Sequence, residues 1–139
     1  MNSTRPHPIH QLFLVLLCLS LLLSQQRAHA HLGVHRAIRL TTQRMQKNPK
    51  NAKLWIKRST LYKHHQEYQK ALTDLKMAQR LAPKNRDIYL HYGLLYFSMR
   101  RYKEAKTAFK RFAKLGGTHW KAWRAQAQIA LKQKQKGKA

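Results

Sequence analysis

The sequence runs to 139 residues, which is room for one domain and little else. Twenty-nine Lys and Arg stand against four Asp and Glu, a formal net charge of +25 that speaks to anionic partners and solubility rather than to fold. A hydrophobic share of 43% excludes a basic tail disordered throughout, and four scattered acids, Glu67, Asp74, Asp87 and Glu104, exclude chemistry that needs paired carboxylates on one face.

In chain order, residues 1–30 read as a secretory signal peptide. Arg5 sits in a polar start, Leu12 to Leu23 is an uncharged apolar run, and Ala28-His29-Ala30 has the small-residue layout of a cleavage site. The run holds about twelve residues, short of the ~20 that a helix needs to span a bilayer. Cleavage near Ala30 predicts a secreted or periplasmic mature chain. Cys18, the single cysteine, leaves with this segment, so disulfides and thiolate metal sites are excluded afterwards. The residues before it, Val15-Leu16-Leu17, lack the small residue that a lipoprotein signal carries there. The mature charge is +23, since losing Arg5 and Arg27 leaves 27 basic residues against the same 4 acids.

Residues 31–51 read as an N-terminal capping helix. A new N-terminus at His31, with His35 four residues on, offers an amine and imidazoles that suit copper or zinc. Metal binding through His31 and His35 ranks third among the functional readings. No metal site and no cofactor are expected.

Beyond residue 51 the sequence repeats itself at an offset of 34. Trp55 falls on Tyr89, Ser59 on Gly93, Tyr62 on Tyr96, Tyr68 on Tyr102, Ala71 on Ala105 and Leu75 on Phe109. A further period carries Tyr89 to Trp123 and Gly93 to Ala127. Each period holds two apolar stripes at helical spacing, parted by a polar turn and closed by Pro83 in the first copy and Gly116-Gly117 in the second. Nothing alternates with a period of two, so the chain is expected to be all-α. The segments are repeat 1 over 52–85, repeat 2 over 86–117, a C-terminal capping helix over 118–131 and a basic disordered tail over 132–139.

Trp55, Ser59, Tyr62, Ala71, Leu75, Ala78 and Pro83 resemble the tetratricopeptide-repeat pattern of W, G, Y, A, F, A and P. Tyr89, Gly93, Tyr96, Tyr102, Ala105 and Phe109 resemble a second copy. The pattern is broken at Arg58, where the family has Leu, at Phe112, where it has Ala, and at Gly117, where it has Pro. The whole is similar to small secreted repeat proteins of bacterial type. The resemblance implies an α-solenoid of about six antiparallel helices, two repeats with a half repeat at either end, acting as a binding scaffold rather than an enzyme. Ser59 with His91 as a nucleophile and base is set aside, because Ser59 fills the small-residue slot of the repeat.

In this family the first helix of each pair lines a concave groove. The resemblance therefore assigns the groove to Lys53, Ile56, Thr60, Lys63 and His64, then Leu90, Leu94 and Phe97, then Lys121, Arg124 and Gln128. Ile56 and Thr60 stand where a terminal-carboxylate clamp needs Lys and Asn, so that clamp is not supported. An apolar middle with basic ends suits a protein or peptide partner of acidic character. The alternative is a basic adaptor for anionic lipid or polysaccharide of the envelope. Specific nucleic-acid binding is not expected, since no base-reading module is visible.

Overall fold

The computed structural model describes residues 17, 18 and 33–136. Apart from Leu17 and Cys18, the expected signal peptide lies outside them, as do the cleavage site at Ala30, His31 and residues 137–139. The chain divides into two units, Met1–Arg36 and Ala37–Ala139. The described residues of the first are helical. No helix among the described residues is long and apolar enough to cross a membrane.

Residues 33–136 form six helices and no strand. They are α1 (33–47), α2 (Ala52–His64), α3 (Tyr68–Leu81), α4 (Arg86–Ser98), α5 (Tyr102–Lys114) and α6 (Trp120–Lys136). The starts of α2 and α4 are set by one device used twice. The side chain of Asn51 accepts from the Lys53 amide at 3.0 Å, and that of Asn85 from the Asp87 amide at 3.0 Å. Each satisfies an amide that the first turn of a helix leaves without a partner. An aromatic side chain then ties each start to the preceding proline. Trp55 Nε1 donates to the Pro49 carbonyl at 3.0 Å, and the Tyr89 hydroxyl to that of Pro83 at 3.5 Å.

The turns inside the pairs repeat as well. Gln66 and Arg100 adopt the left-handed conformation, at φ 62° and 59°. In each turn the next amide reaches back five residues: Glu67 to the Tyr62 carbonyl and Arg101 to that of Tyr96, both at 2.9 Å. This closure satisfies the last carbonyls of a helix and reverses the chain. Gly116, at φ 74°, makes the same turn after α5, with the Gly117 amide 3.0 Å from the Phe112 carbonyl.

Helix α2 packs chiefly on α3, and α4 on α5, while α4 also meets α2, α3 and α6. One buried cluster lies around Leu75, Ile88 and Leu95, and a second around Leu90, Phe109 and Ile129. Close approach within the second pair needs Gly93, because a Cβ there would run into the ring of Phe109, which is fully buried. Two departures from the repeat pattern explain one another. The ring of Phe112 lies against Gly117, so closely that any side chain at Gly117 would collide with it. The large ring and the missing proline are one adaptation.

Arg58, the third departure, joins three helices. It donates twice to the carboxylate of Asp74 on α3, each bond 2.8 Å, and once to the Thr42 hydroxyl on α1 at 3.0 Å. Asp74 is buried, and the bond to its carboxylate outweighs burial in raising the pKa of Arg58. Such a pair is costly to break by halves. The expectation of disorder from residue 132 is corrected. Helix α6 continues to Lys136, as Lys and Gln are good helix formers and no breaker intervenes before Gly137.

Candidate functional site

Helices α2, α4 and α6 lie side by side, and the residues assigned to the groove fall along them. They gather in two depressions. One, of about 270 Å³, is lined by Leu94, Phe97, Trp120, Lys121, Arg124, Ala125 and Gln128. The other, of about 330 Å³, is lined by Lys53, Ile56, Asn85, Asp87, Leu90, His91 and His119. Thr60, Lys63 and His64 line neither. Thr60 instead lies 3.2 Å from His91 Nδ1, and the other two are coupled electrostatically to Lys121.

Leu90 and Ile56 reach only the floor of the second depression, since both belong to the buried clusters, at 6% and 8% exposure. Leu90 packs with Ala122, Ala125 and Ile129 of α6, which covers it. Leu94 and Phe97 sit at the edge of the same cluster and remain partly exposed.

The approach of α6 is fixed by its first residues. His119 Nδ1 accepts from the Lys121 amide at 3.1 Å, and its ring stacks on Trp120 at 6.1 Å. Lys121 Nζ lies 5.6 Å from the centre of the Trp120 ring. Arg86 ties the start of α4 to the same region by donating to the Gly116 carbonyl at 2.8 Å.

Basic groups crowd this face. Burial pulls the pKa of Lys63 down, and Lys121 pulls it further. His64 is lowered by burial, then by Lys63 and Lys121. His91 is lowered to about 4, by burial first, then by Lys63, Lys121 and His119, with Asp87 the one opposing charge. At neutral pH it is therefore an uncharged imidazole. Its tautomer follows from Thr60, whose hydroxyl spends its hydrogen on the Ile56 carbonyl at 3.0 Å. Thr60 Oγ1 can then only accept from His91, which places the ring proton on Nδ1 and leaves Nε2 as an acceptor.

The arrangement concentrates positive charge beside apolar surface. No three His, Cys, Asp or Glu side chains converge as a metal site among the described residues, and His31 lies outside them. Sequence reasoning missed His91, Asp87 and His119. The signal was there for His91, which is four residues after Asp87 and three before Leu94, so it shares the α4 face already assigned.

No family model matches the chain, and no curated protein matches it. Among solved structures it is similar to the tetratricopeptide-repeat domain of Sgt2 from Aspergillus fumigatus. The TM-score is 0.68 at 25% identity, over 82% of this chain and 77% of that one. The fold is that of a tetratricopeptide-repeat domain. Tetratricopeptide domains serve as protein-interaction scaffolds, and the α2, α4 and α6 face is the one built from the first helix of each repeat.

Proposed function

We propose that the chain is a small secreted tetratricopeptide scaffold, of bacterial type, that acts without catalysis in the secretory or envelope compartment. It holds an acidic protein or peptide against α2, α4 and α6. One observation carries this reading. Leu94 and Phe97 share a depression with Lys121, Arg124 and Gln128, so partly exposed apolar surface is rimmed by unneutralised cations. Exposed apolar patches with polar rims mark interaction sites. Leu94 and Phe97 would take an apolar anchor, while Lys53, Lys63, Lys121 and Arg124 would steer carboxylates and fix their orientation. The Ala28-His29-Ala30 site supports export.

The reading is tested by pull-down from an envelope extract across a salt series, using the wild type, Leu94→Glu and Arg39→Glu on the exposed face of α1. Retention that survives high salt and is abolished by Leu94→Glu alone is expected. Equal effects of the two substitutions, with complete loss at high salt, would favour the anionic lipid or polysaccharide adaptor instead. In that case trimming Lys132 to Ala139 would matter most.

A further inference from the structure

On the other side of α4, three tyrosines at helical spacing, Tyr89, Tyr92 and Tyr96, floor a cleft of about 730 Å³. Its walls come from α3 and α5, the second helices of the two repeats. Tyr92 and Tyr96 stack at 5.9 Å, with their planes 15° apart. Burial pushes the pKa of Tyr92 up to about 12, so it stays a neutral hydroxyl. Lys76, Lys103 and Arg111 stand around the tyrosines. Arg111 lies over the Tyr89 ring at 5.7 Å. The one acid of the cleft, Glu104, is neutralised by Arg101 at 2.7 Å.

The first repeat shows what this place holds when it is filled. One period of 34 residues earlier, Tyr89, Tyr92 and Tyr96 become Trp55, Arg58 and Tyr62, and Ala108 becomes Asp74. There the Arg58 guanidinium lies 5.2 Å from the Trp55 ring and 5.7 Å from the Tyr62 ring, paired to the Asp74 carboxylate. The aromatic walls are kept in the second repeat, but Tyr92 and Ala108 replace the central ion pair. Meanwhile Thr42, Gln69 and Met77 have become Lys76, Lys103 and Arg111. The Glu67–Lys70 pair survives with its charges exchanged as Arg101–Glu104, so it adds no net charge. The second cleft is short of carboxylates.

We infer that this cleft is a second peptide site, for an extended acidic segment with an aromatic residue between two carboxylates. The spacing sets the register of such a segment. Lys103 and Arg111 are eight residues apart on α5, or about 12 Å at 1.5 Å per residue. An extended chain covers that distance in about four residues, at roughly 3.3 Å each. Side chains at alternate positions share a face, so acids at the first and fifth positions reach the two cations while the third position lies over Tyr92. The cleft lies apart from the α2, α4 and α6 face, so one chain could engage two segments at once.

The test is titration calorimetry with an acetylated, amidated peptide, Glu-Ser-Phe-Ser-Glu. Its isomer Ser-Glu-Phe-Glu-Ser has the same charge but turns its acids away from the phenylalanine face. The first peptide should bind at least fivefold more tightly than its isomer. Lys103→Glu with Arg111→Glu, both exposed and so harmless to the fold, should weaken it at least tenfold, with helicity checked by circular dichroism. Arg39→Glu and Leu94→Glu should leave it within twofold. Equal affinity for the two isomers would overturn the site, as would equal loss in Arg39→Glu. Loss in Leu94→Glu alone would move the peptide to the groove, so failure here is distinct from failure of the groove reading.

Discussion

His91 is the residue whose chemistry departs furthest from its ordinary state. Its folded pKa, about 4, lies below the ~6.5 of an unfolded histidine, so acid protonates the unfolded chain first. Its contribution to stability is therefore complete above about pH 6.5 and is lost as pH falls towards 4, by roughly 3 kcal/mol at most. Urea denaturation at a series of pH values should show this loss in the wild type and a flatter profile in His91→Gln. Identical profiles would place the acid sensitivity elsewhere. A bound acidic peptide should raise the His91 pKa, readable by NMR, because a carboxylate relieves the repulsion from Lys63 and Lys121. None of this could be read from the sequence. Register alone located Leu90 and its neighbours, but burial and a hydroxyl partner on another helix determine what an adjacent histidine does.

At the scale of elements, the sequence is legible where one residue has one job. Asn51 and Asn85, Pro49 and Pro83, and the aromatic at each helix start recur in step because each solves a local problem. Coupled residues are not legible that way: Phe112 and Gly117 read as two lapses until their contact joins them. Arg58 and Asp74 are similar, since a pattern that expects Leu at the first position carries no hint of an acid sixteen residues later. Removing Asp74 alone strands a half-buried guanidinium, and Asp74→Ala should cost about 3–5 kcal/mol in equilibrium unfolding. The second repeat supplies the repair. Arg58→Tyr with Asp74→Ala installs the Tyr92 and Ala108 pair and should recover most of that loss. A double variant as unstable as the single one would show that Thr42 and α1 depend on the charge itself.

Across the whole molecule, 29 basic residues stand against four acids, of which Asp74 is buried and Glu67 and Glu104 face their cations across exposed ion pairs. Exposed pairs contribute little, so self-repulsion is the larger electrostatic effect on folding. Salt should therefore stabilise the chain. Raising it from low to half-molar levels is expected to lift Tm by several degrees, about what 1 kcal/mol produces in a domain of this size. A Tm that is flat or falls with salt would mean that the cations are better placed against local partners than their number suggests. The solenoid was legible at this scale because periodicity is a property of the whole chain. The tyrosine cleft was not, because it is defined by what the second repeat lacks relative to the first.

That difference between the repeats has a consequence for how the chain finds its fold. Helices α3 and α5 offer similar packing faces, with Ala71 and Leu75 in one matching Ala105 and Phe109 in the other. During collapse either can be presented to α2 or to α4. Docking α5 on α2 would set Ala108 beside Arg58 and leave the guanidinium without its acid. Docking α3 on α4 would bury Asp74 against Tyr92 with no cation to meet it. Each error carries an uncompensated charge into the interior, while the correct match carries none. The ion pair is therefore expected to serve as an address as well as a contact. A chain in which both repeats bore Tyr and Ala could match the stability of the native one and still return fewer correctly threaded molecules from refolding.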